Sequence, residues 1–410
     1  MSRILIQHGL VVDTEPAPRA MPATDLLIED GVIAAVGPGL PAEGAEVIDA
    51  RDRVVLPGFV DTHRHTWQSV LRSTAPYASL GEYLEAIVYG ATPRFRPEDV
   101  YAGDLAGALE CLNSGITTLL DWSHIQRSPD HTDAAVAALR DSGIRAVFGY
   151  AHPAPGAQRP DEVRRALGLV GGRVSMTLAA WGPGLATMEA AEAEWRLARE
   201  LGLRISVHVN GPGPIARLRD HGLLGADTTY IHLNGVTDEE FALIADSGGT
   251  ASVSPVLEDQ MRLGRPEVGR LRAAGVRTTL GADAVTSVGG DMFGLMRAAF
   301  AAARADDPTV TAADVLRMAT LDGAAALGLD DRIGSLRPGK QADLVLLRTD
   351  TPNLVPLRDP ITAVVTAADL SNVDTVLVGG EIVKRDGRLV RADLRRAFDL
   401  AERSAAHLAA

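Results

Sequence analysis

Between residues 57 and 283 one pattern recurs. Short apolar runs appear near 57–63, 116–121, 144–150, 173–180, 203–209, 228–233, 250–254 and 276–283. Near-continuous apolar runs of this length read as strands buried on both faces. Most are separated by stretches with helical spacing. Glu98–Asn113 and Thr187–Leu201 place apolar side chains at that spacing, and Gly115 and Gly202 close them. Strands alternating with helices predict parallel βα units, and eight such strands predict an α/β fold closed into a (β/α)8 barrel.

The two ends of the chain have a different grammar. Ile4-Leu5-Ile6, the run from Leu26 to Ile33, and Val54-Val55-Leu56 are short apolar segments divided by Gly, Pro and Asp. Asp30-Gly31 interrupts the second of them as a hairpin turn would. Near the C-terminus, Ala342–Leu347 and Thr375–Val378 repeat the pattern, and Gly379-Gly380 turns the chain into Glu381-Ile382-Val383. Two β-rich ends around one long middle predict a small β-sandwich domain built from both. Residues 1–56 and 333–390 are assigned to it, 57–332 to the barrel and 391–410 to a helical tail. No 20–50-residue repeat interrupts this division.

The length of 410 residues suits a barrel plus a smaller domain, since a barrel alone takes about 250. The net charge of −13 repels phosphate backbones and anionic lipid, so a small-molecule substrate is expected, with no nucleic acid and no membrane partner. No apolar stretch approaches the roughly 18 residues of a membrane span, and the first residues lack a signal-peptide pattern. Cys111 is the single cysteine, which rules out an intrachain disulfide and suits the cytoplasm.

Chemistry-bearing residues gather at strand ends, where barrels of this kind place their catalytic groups. The first strand runs into Asp61-Thr62-His63-Arg64-His65. Residues two apart on an extended chain point the same way, so both imidazoles can reach one ion while Arg64 points away. The fifth strand ends at His208, the sixth at His232 and the eighth at Asp283. Neutral imidazoles with one carboxylate suit Zn2+, with Fe2+ as the second choice. His-x-His alone is a weak signal, and a lone strand-end His is usually structural. Four strand ends of one barrel carrying ligand types make the case. Trp67, Gln68, Trp122, His152 and Trp181 follow strand ends and are candidates for the substrate pocket. His124 after strand two and Glu258 after strand seven are candidates for proton transfer. His8, His131, His221 and His407 read as solvated surface residues.

At these residues a family resemblance enters. Pro57-Gly58-Phe59-Val60-Asp61-Thr62-His63-Arg64-His65 resembles the amidohydrolase signature, and Ile333–Leu344 resembles that superfamily's C-terminal motif. The resemblance covers nearly the whole chain and is closest to the cytosine deaminase and chlorohydrolase branch. It implies His63, His65, His208 and Asp283 on one metal, His232 beside the bound water or as a further ligand, and a homodimer or larger assembly. Dinuclear relatives commonly bridge two ions through a lysine on strand four. Strand four here, Arg173–Trp181, has none, and the only lysines are Lys340 and Lys384. A single ion per chain is therefore expected. One departure stands out. The branch usually carries His-x-x-Glu on strand five, whereas this chain reads His208-Val209-Asn210-Gly211, and Gly211 cannot move a proton.

The expected activity is hydrolysis of a C–N bond in a small heterocyclic or cyclic-amide substrate by a metal-activated water. Asp283 serves as base, His232 stabilises developing charge, and His124 or Glu258 stands in for the absent glutamate. Two alternatives remain, the first of them favoured by the departure. One is displacement of a non-nitrogen leaving group or a non-hydrolytic metal-assisted step. The other is a non-catalytic binding relative, against which the complete ligand set argues.

Overall fold

The computed structural model describes residues 2–156 and 158–409. Eight parallel strands form the barrel: Phe59–Arg64, Ile116–Ser123, Arg145–Tyr150, Val174–Ala180, Ile205–Val209, Thr228–His232, Thr250–Val253 and Arg277–Leu280. Each pairs with the next, from strand one through strand eight. Closure between strands eight and one falls at the chemistry. The Asp283 amide donates to the His63 carbonyl at 2.8 Å, and the His65 amide donates to the Asp283 carbonyl at 3.1 Å. Strand two is buried along its whole length, as a strand with core on one side and helices on the other must be. Thr62 Oγ1 lies 2.7 Å from Ser252 Oγ and 2.8 Å from Thr279 Oγ1, tying strands one, seven and eight together one residue before His63.

The helices form where their signals stand. Pro97–Asn113 begins with proline in its first turn, where the missing N–H costs nothing. Met188–Glu200 is capped by Thr187, whose side chain accepts from the Ala190 amide at 3.3 Å. Between strand one and the first of these helices lies an element the pattern reading passed over. Ser79 and Glu82 form a reciprocal capping box at Leu80–Tyr83, and the chain continues through the wider coil Leu84–Ala91.

The chain ends build one continuous mixed sheet of nine strands. Its two halves meet where Leu344–Arg348 runs antiparallel to Arg53–Pro57. Ile4, Ile6, Leu26, Ile33, Val55, Leu344, Leu346 and Leu377 enclose its own core. Asp30 and Gly31 both take positive φ, 47° and 83°, as a two-residue hairpin turn requires. The C-terminal motif docks this domain on the barrel. Arg145, at the start of strand three, makes two bonds of 2.7 and 2.9 Å to Asp343, and both side chains are buried. The Asp343 carbonyl also receives the Gly58 amide at 3.0 Å, just ahead of strand one. The helix Leu394–Ala409 ends the described chain and packs on Pro97–Asn113. Among the described residues, no helix is long and apolar enough to cross a membrane.

Candidate metal centre and active site

Strand one carries His63 and His65, strand five His208, and strand six His232, while Asp283 lies three residues beyond strand eight. The fold brings all five together. His63 Nε2 and His208 Nε2 are 3.2 Å apart. Asp283 Oδ1 lies 3.4 Å from His63 Nε2 and 3.3 Å from His65 Nε2, and its Oδ2 lies 3.3 Å from His232 Nε2. The donor atoms of His63, His208 and His232, and those of His63, His65 and Asp283, fall within 4.8 Å of one another.

The residues fit a divalent transition ion. Two imidazole nitrogens facing each other at 3.2 Å must share either a proton or a cation, and this spacing suits two ligands of one ion. His65 Nδ1 is 2.8 Å from the Trp122 carbonyl, so that nitrogen carries the proton and Nε2 keeps its lone pair free. Burial holds the pKa values of His65 and His208 well below the ordinary imidazole range, which keeps both neutral as ligands must be. Burial works to raise the Asp283 pKa, but the facing imidazoles of His63, His65 and His232 outweigh it and keep the carboxylate ionised. His232 is the exception among the histidines. Burial pulls its pKa down, yet the hydrogen bond to Glu258 and the Asp283 charge lift it above the usual value.

Backbone strain is concentrated here. His232, Leu233 and Asp283 have φ of 70°, 65° and 63°, a region that side-chain-bearing residues avoid at a cost of about 1–3 kcal/mol each. The closure bonds around Asp283 hold one of these conformations, and the Leu233 amide donating to the Val209 carbonyl at 2.9 Å holds another. Arg64 points away from the centre. Its guanidinium bonds Asp61 Oδ2 at 2.9 Å and Glu110 Oε2 at 3.3 Å, while Asp61 Oδ1 accepts the amides of His63 and Ala282, each at 3.2 Å.

A cavity of about 280 Å3 opens above these residues. His65, His208, His232 and Asp283 line it, with His124, Trp122 and Trp181 alongside. The His124 ring centroid is 4.5 Å from that of His65, and burial pushes the His124 pKa down to about 4, so its imidazole is neutral.

The other candidates sit elsewhere. Trp67 and Gln68 are fully buried and do not line the cavity, because the chain turns into a short helix at Thr66–Leu71 that carries them into the core. Gln68 Nε2 donates to the Tyr83 hydroxyl from behind. The side chain of His152 also lies off the cavity; its carbonyl receives Trp181 Nε1 at 2.9 Å and fixes that ring. Glu258 does not face the cavity either. Its Oε1 accepts the Ser254 amide at 2.7 Å and faces His232 Nδ1 at 3.2 Å, so it acts through His232. His131 is a core residue rather than a surface one, bonded to Ser128 Oγ at 2.8 Å and the Phe95 carbonyl at 3.1 Å. His8 and His221 are exposed, and His407 is half-buried.

Residues that pattern reading missed supply much of the cavity wall. Leu80, Tyr83, Leu84, Val88 and Tyr89 come from the segment after Ser79. The Ser79-x-x-Glu82 capping box ahead of an apolar run was the available signal. Gly211 has φ of 70°, and a Cβ added there would meet nothing within 4 Å, so the position is open but shaped for glycine.

Comparison with known proteins matches this architecture. The amidohydrolase family model covers residues 54–383. The chain belongs to the amidohydrolase family and is a metal-dependent hydrolase acting on carbon–nitrogen bonds other than peptide bonds. It is 33% identical to a 5-methylthioadenosine/S-adenosylhomocysteine deaminase of Symbiobacterium thermophilum, over 94% of each chain. It is 32% identical to a 5'-deoxyadenosine deaminase of Methanothermobacter thermautotrophicus, over 93% of this chain and 94% of that one. Among solved structures, it resembles an adenosine deaminase from Xanthomonas campestris with bound zinc. That match has a TM-score of 0.89 and 26% identity, and it covers 100% of this chain and 99% of the other. A variant of the atrazine chlorohydrolase from Arthrobacter aurescens, complexed with zinc and atraton, superposes with a TM-score of 0.90 at 25% identity, over 98% of this chain and 100% of that one.

Proposed function

We propose that the enzyme releases ammonia from an amino-substituted aromatic heterocycle, using one zinc ion held by His63, His65, His208 and Asp283. The supporting observation is the convergence of neutral imidazoles and an ionised carboxylate beside an apolar cavity. Water and the C–NH2 group give the hydroxy or oxo heterocycle and ammonia. A bound zinc ion supplies Lewis acidity and brings the pKa of water toward neutrality. Asp283 takes the proton from the attacking water and returns it to the leaving nitrogen. His232, with Glu258 behind it raising its proton affinity, directs its Nε2 proton at the oxygen that gains charge. His124, neutral at the cavity wall, hydrogen-bonds and positions the leaving nitrogen, while the proton itself comes from Asp283.

The strand-four sequence without lysine supports one ion rather than two. The same reading places the enzyme in the cytoplasm as a homodimer or larger assembly; exposed Phe398 and Val390 near the C-terminus are apolar surface available for association. A species of only about 43 kDa by light scattering at micromolar concentration would contradict that assembly.

The test is incubation of zinc-loaded protein with amino-substituted purines, pyrimidines and triazines, with ammonia measured. Ammonia from at least one core supports the proposal; none from any core overturns it. Gly211 favours one second reading, displacement of a leaving group such as chloride that needs no proton. Chloride release from chloro-heterocycles without ammonia from their amino counterparts would establish that reading.

A further inference from the structure

The cavity walls carry information about the substrate beyond its reacting carbon. Apart from the metal-centre residues and His124, the surroundings are apolar. Leu84 and Val88 come from one side, and Leu257, Met261 and Leu263 from the segment after strand seven. Pro153 and Pro155 approach from the loop after strand three. Of the polar atoms on the aromatic wall, Trp122 Nε1 is buried with no partner among the described residues, and Tyr89 is exposed at the mouth. The Tyr83 hydroxyl accepts from Gln68, and Trp181 Nε1 donates to the His152 carbonyl. Among the described residues, Asn210 is the one amide side chain lining the cavity, and it is exposed. No arginine or lysine among the described residues lines the cavity, and among them Asp283 is its only carboxylate. At the mouth, Leu80, Tyr89 and Leu185 are exposed by 36%, 65% and 52%, large apolar side chains at the entrance to a reaction site. Exposed apolar surface of this kind marks ligand contact.

We propose that the substrate is a heterocycle bearing an uncharged alkyl or aryl substituent in the place where a nucleoside carries its ribose. This inference rests on the deaminase reading above and narrows it. A ribose buries vicinal hydroxyls that need partners, and an unpaired buried hydroxyl is unfavourable. Beyond the indoles, His124 and the metal-centre residues, the polar side chains on the described walls are Asn210, Tyr83 and Tyr89; Asn210 and Tyr89 are exposed to water, and the Tyr83 hydroxyl is already held by Gln68. A zwitterionic amino-acid group would fare worse, since among the described residues no cationic side chain lines the cavity and its one carboxylate, Asp283, belongs to the metal centre. An apolar substituent meets Leu84, Val88, Leu257 and Met261 and covers Leu80 and Tyr89 from water. On this inference the adenosine-type substrates named for the related deaminases do not transfer to this chain.

The experiment pairs compounds that differ only in hydroxylation. 9-Propyladenine is compared with 9-(2,3-dihydroxypropyl)adenine, and matched propyl and dihydroxypropyl derivatives are made of cytosine and of an aminotriazine. Dissociation constants are measured by calorimetry on the zinc-loaded full-length protein, and ammonia is followed in parallel. In at least one core the propyl compound should bind about 10²-fold more tightly than its dihydroxy partner, the scale on which apolar pockets reject an added hydroxyl. Leu84→Gln should shrink that ratio at least tenfold with zinc content unchanged. Equal or reversed affinities in all three pairs, or binding by no member of any pair, overturn the inference. The binding ratio stands apart from turnover. A propyl preference without ammonia would defeat the deaminase reading and keep the apolar pocket. Ammonia from the dihydroxy compounds with inert propyl partners would do the reverse.

Discussion

The contact between Glu258 and His232 allows the sharpest prediction. Glu258 is fully buried, and one oxygen serves both the Ser254 amide at 2.7 Å and His232 Nδ1 at 3.2 Å. Hydrogen bonds to a charged group contribute about 1.5–3 kcal/mol, and about 1.4 kcal/mol is a factor of ten. Glu258→Gln keeps an acceptor for the Ser254 amide and the imidazole but removes the charge. Its kcat/KM should fall about 10- to 100-fold, the range found for outer partners of metal-site histidines. The pH profile should move with it. The carboxylate raises the His232 pKa against the effect of burial. Protonated His232 therefore persists to higher pH in the parent enzyme, and the limb that reports its deprotonation should shift to lower pH in the variant. The assay is kcat/KM across pH 5–9, with zinc content measured on the same samples. A variant within twofold of the parent, with an unshifted limb, would show that His232 works without Glu258 and would refute the assigned role.

Three further outcomes are expected. His124→Ala should lower turnover of poor leaving groups by about tenfold, the scale of one lost hydrogen bond, with zinc retained, and recover on an activated leaving group; equal impairment on both substrates would reduce His124 to a wall residue. Arg145→Ala should destabilise the fold by about 3–5 kcal/mol, because it leaves Asp343 charged and unpaired in a buried site; an unchanged denaturation midpoint would remove this pair from the account of how the β-domain docks. Asp104 is buried beside Asp121, neither of its oxygens has a partner among the described residues, and burial followed by the Asp121 charge raises its pKa well above the ordinary value. The folded state then binds more protons than the unfolded chain above about pH 4, so stability falls as pH rises through that window. Asp104→Asn should give little stabilisation near pH 4 and progressively more toward pH 8, read as the difference in Tm; a pH-independent difference would count against the raised value.

Much of this architecture was legible because the physics that builds it is periodic or local. Strand runs with core on both sides leave unbroken apolar stretches, and Asp30-Gly31 demands a turn wherever it occurs between strands. The residue types at the metal centre were visible because barrels expose strand ends on one face, so His63, His208, His232 and Asp283 needed only a strand count to be placed near one another. Side-chain direction beyond a strand end follows no such rule. Glu258 lies one turn into a short helix, and its carboxylate folds back onto the Ser254 amide four residues earlier rather than into the cavity. Trp67 and Gln68 follow His65 directly, yet the helical turn at Thr66–Leu71 carries them into the core. His152 contributes its carbonyl and not its ring. Leu84 and Val88 pack on the main core as well as lining the cavity, so their spacing carried no mark of function, although the capping box before them announced a helix.

The central claim is that this cluster binds one metal ion and that the ion is required for release of ammonia. It is tested by stripping the protein with a chelator, adding zinc in measured steps, and following ammonia from the best propyl-substituted amino-heterocycle. The account predicts no release from stripped protein and a linear rise that breaks at one zinc per chain. It also predicts neither zinc retention nor release in a His63→Ala, His208→Ala double variant. Ammonia release that persists without metal, or a break at two zinc ions per chain, would contradict it.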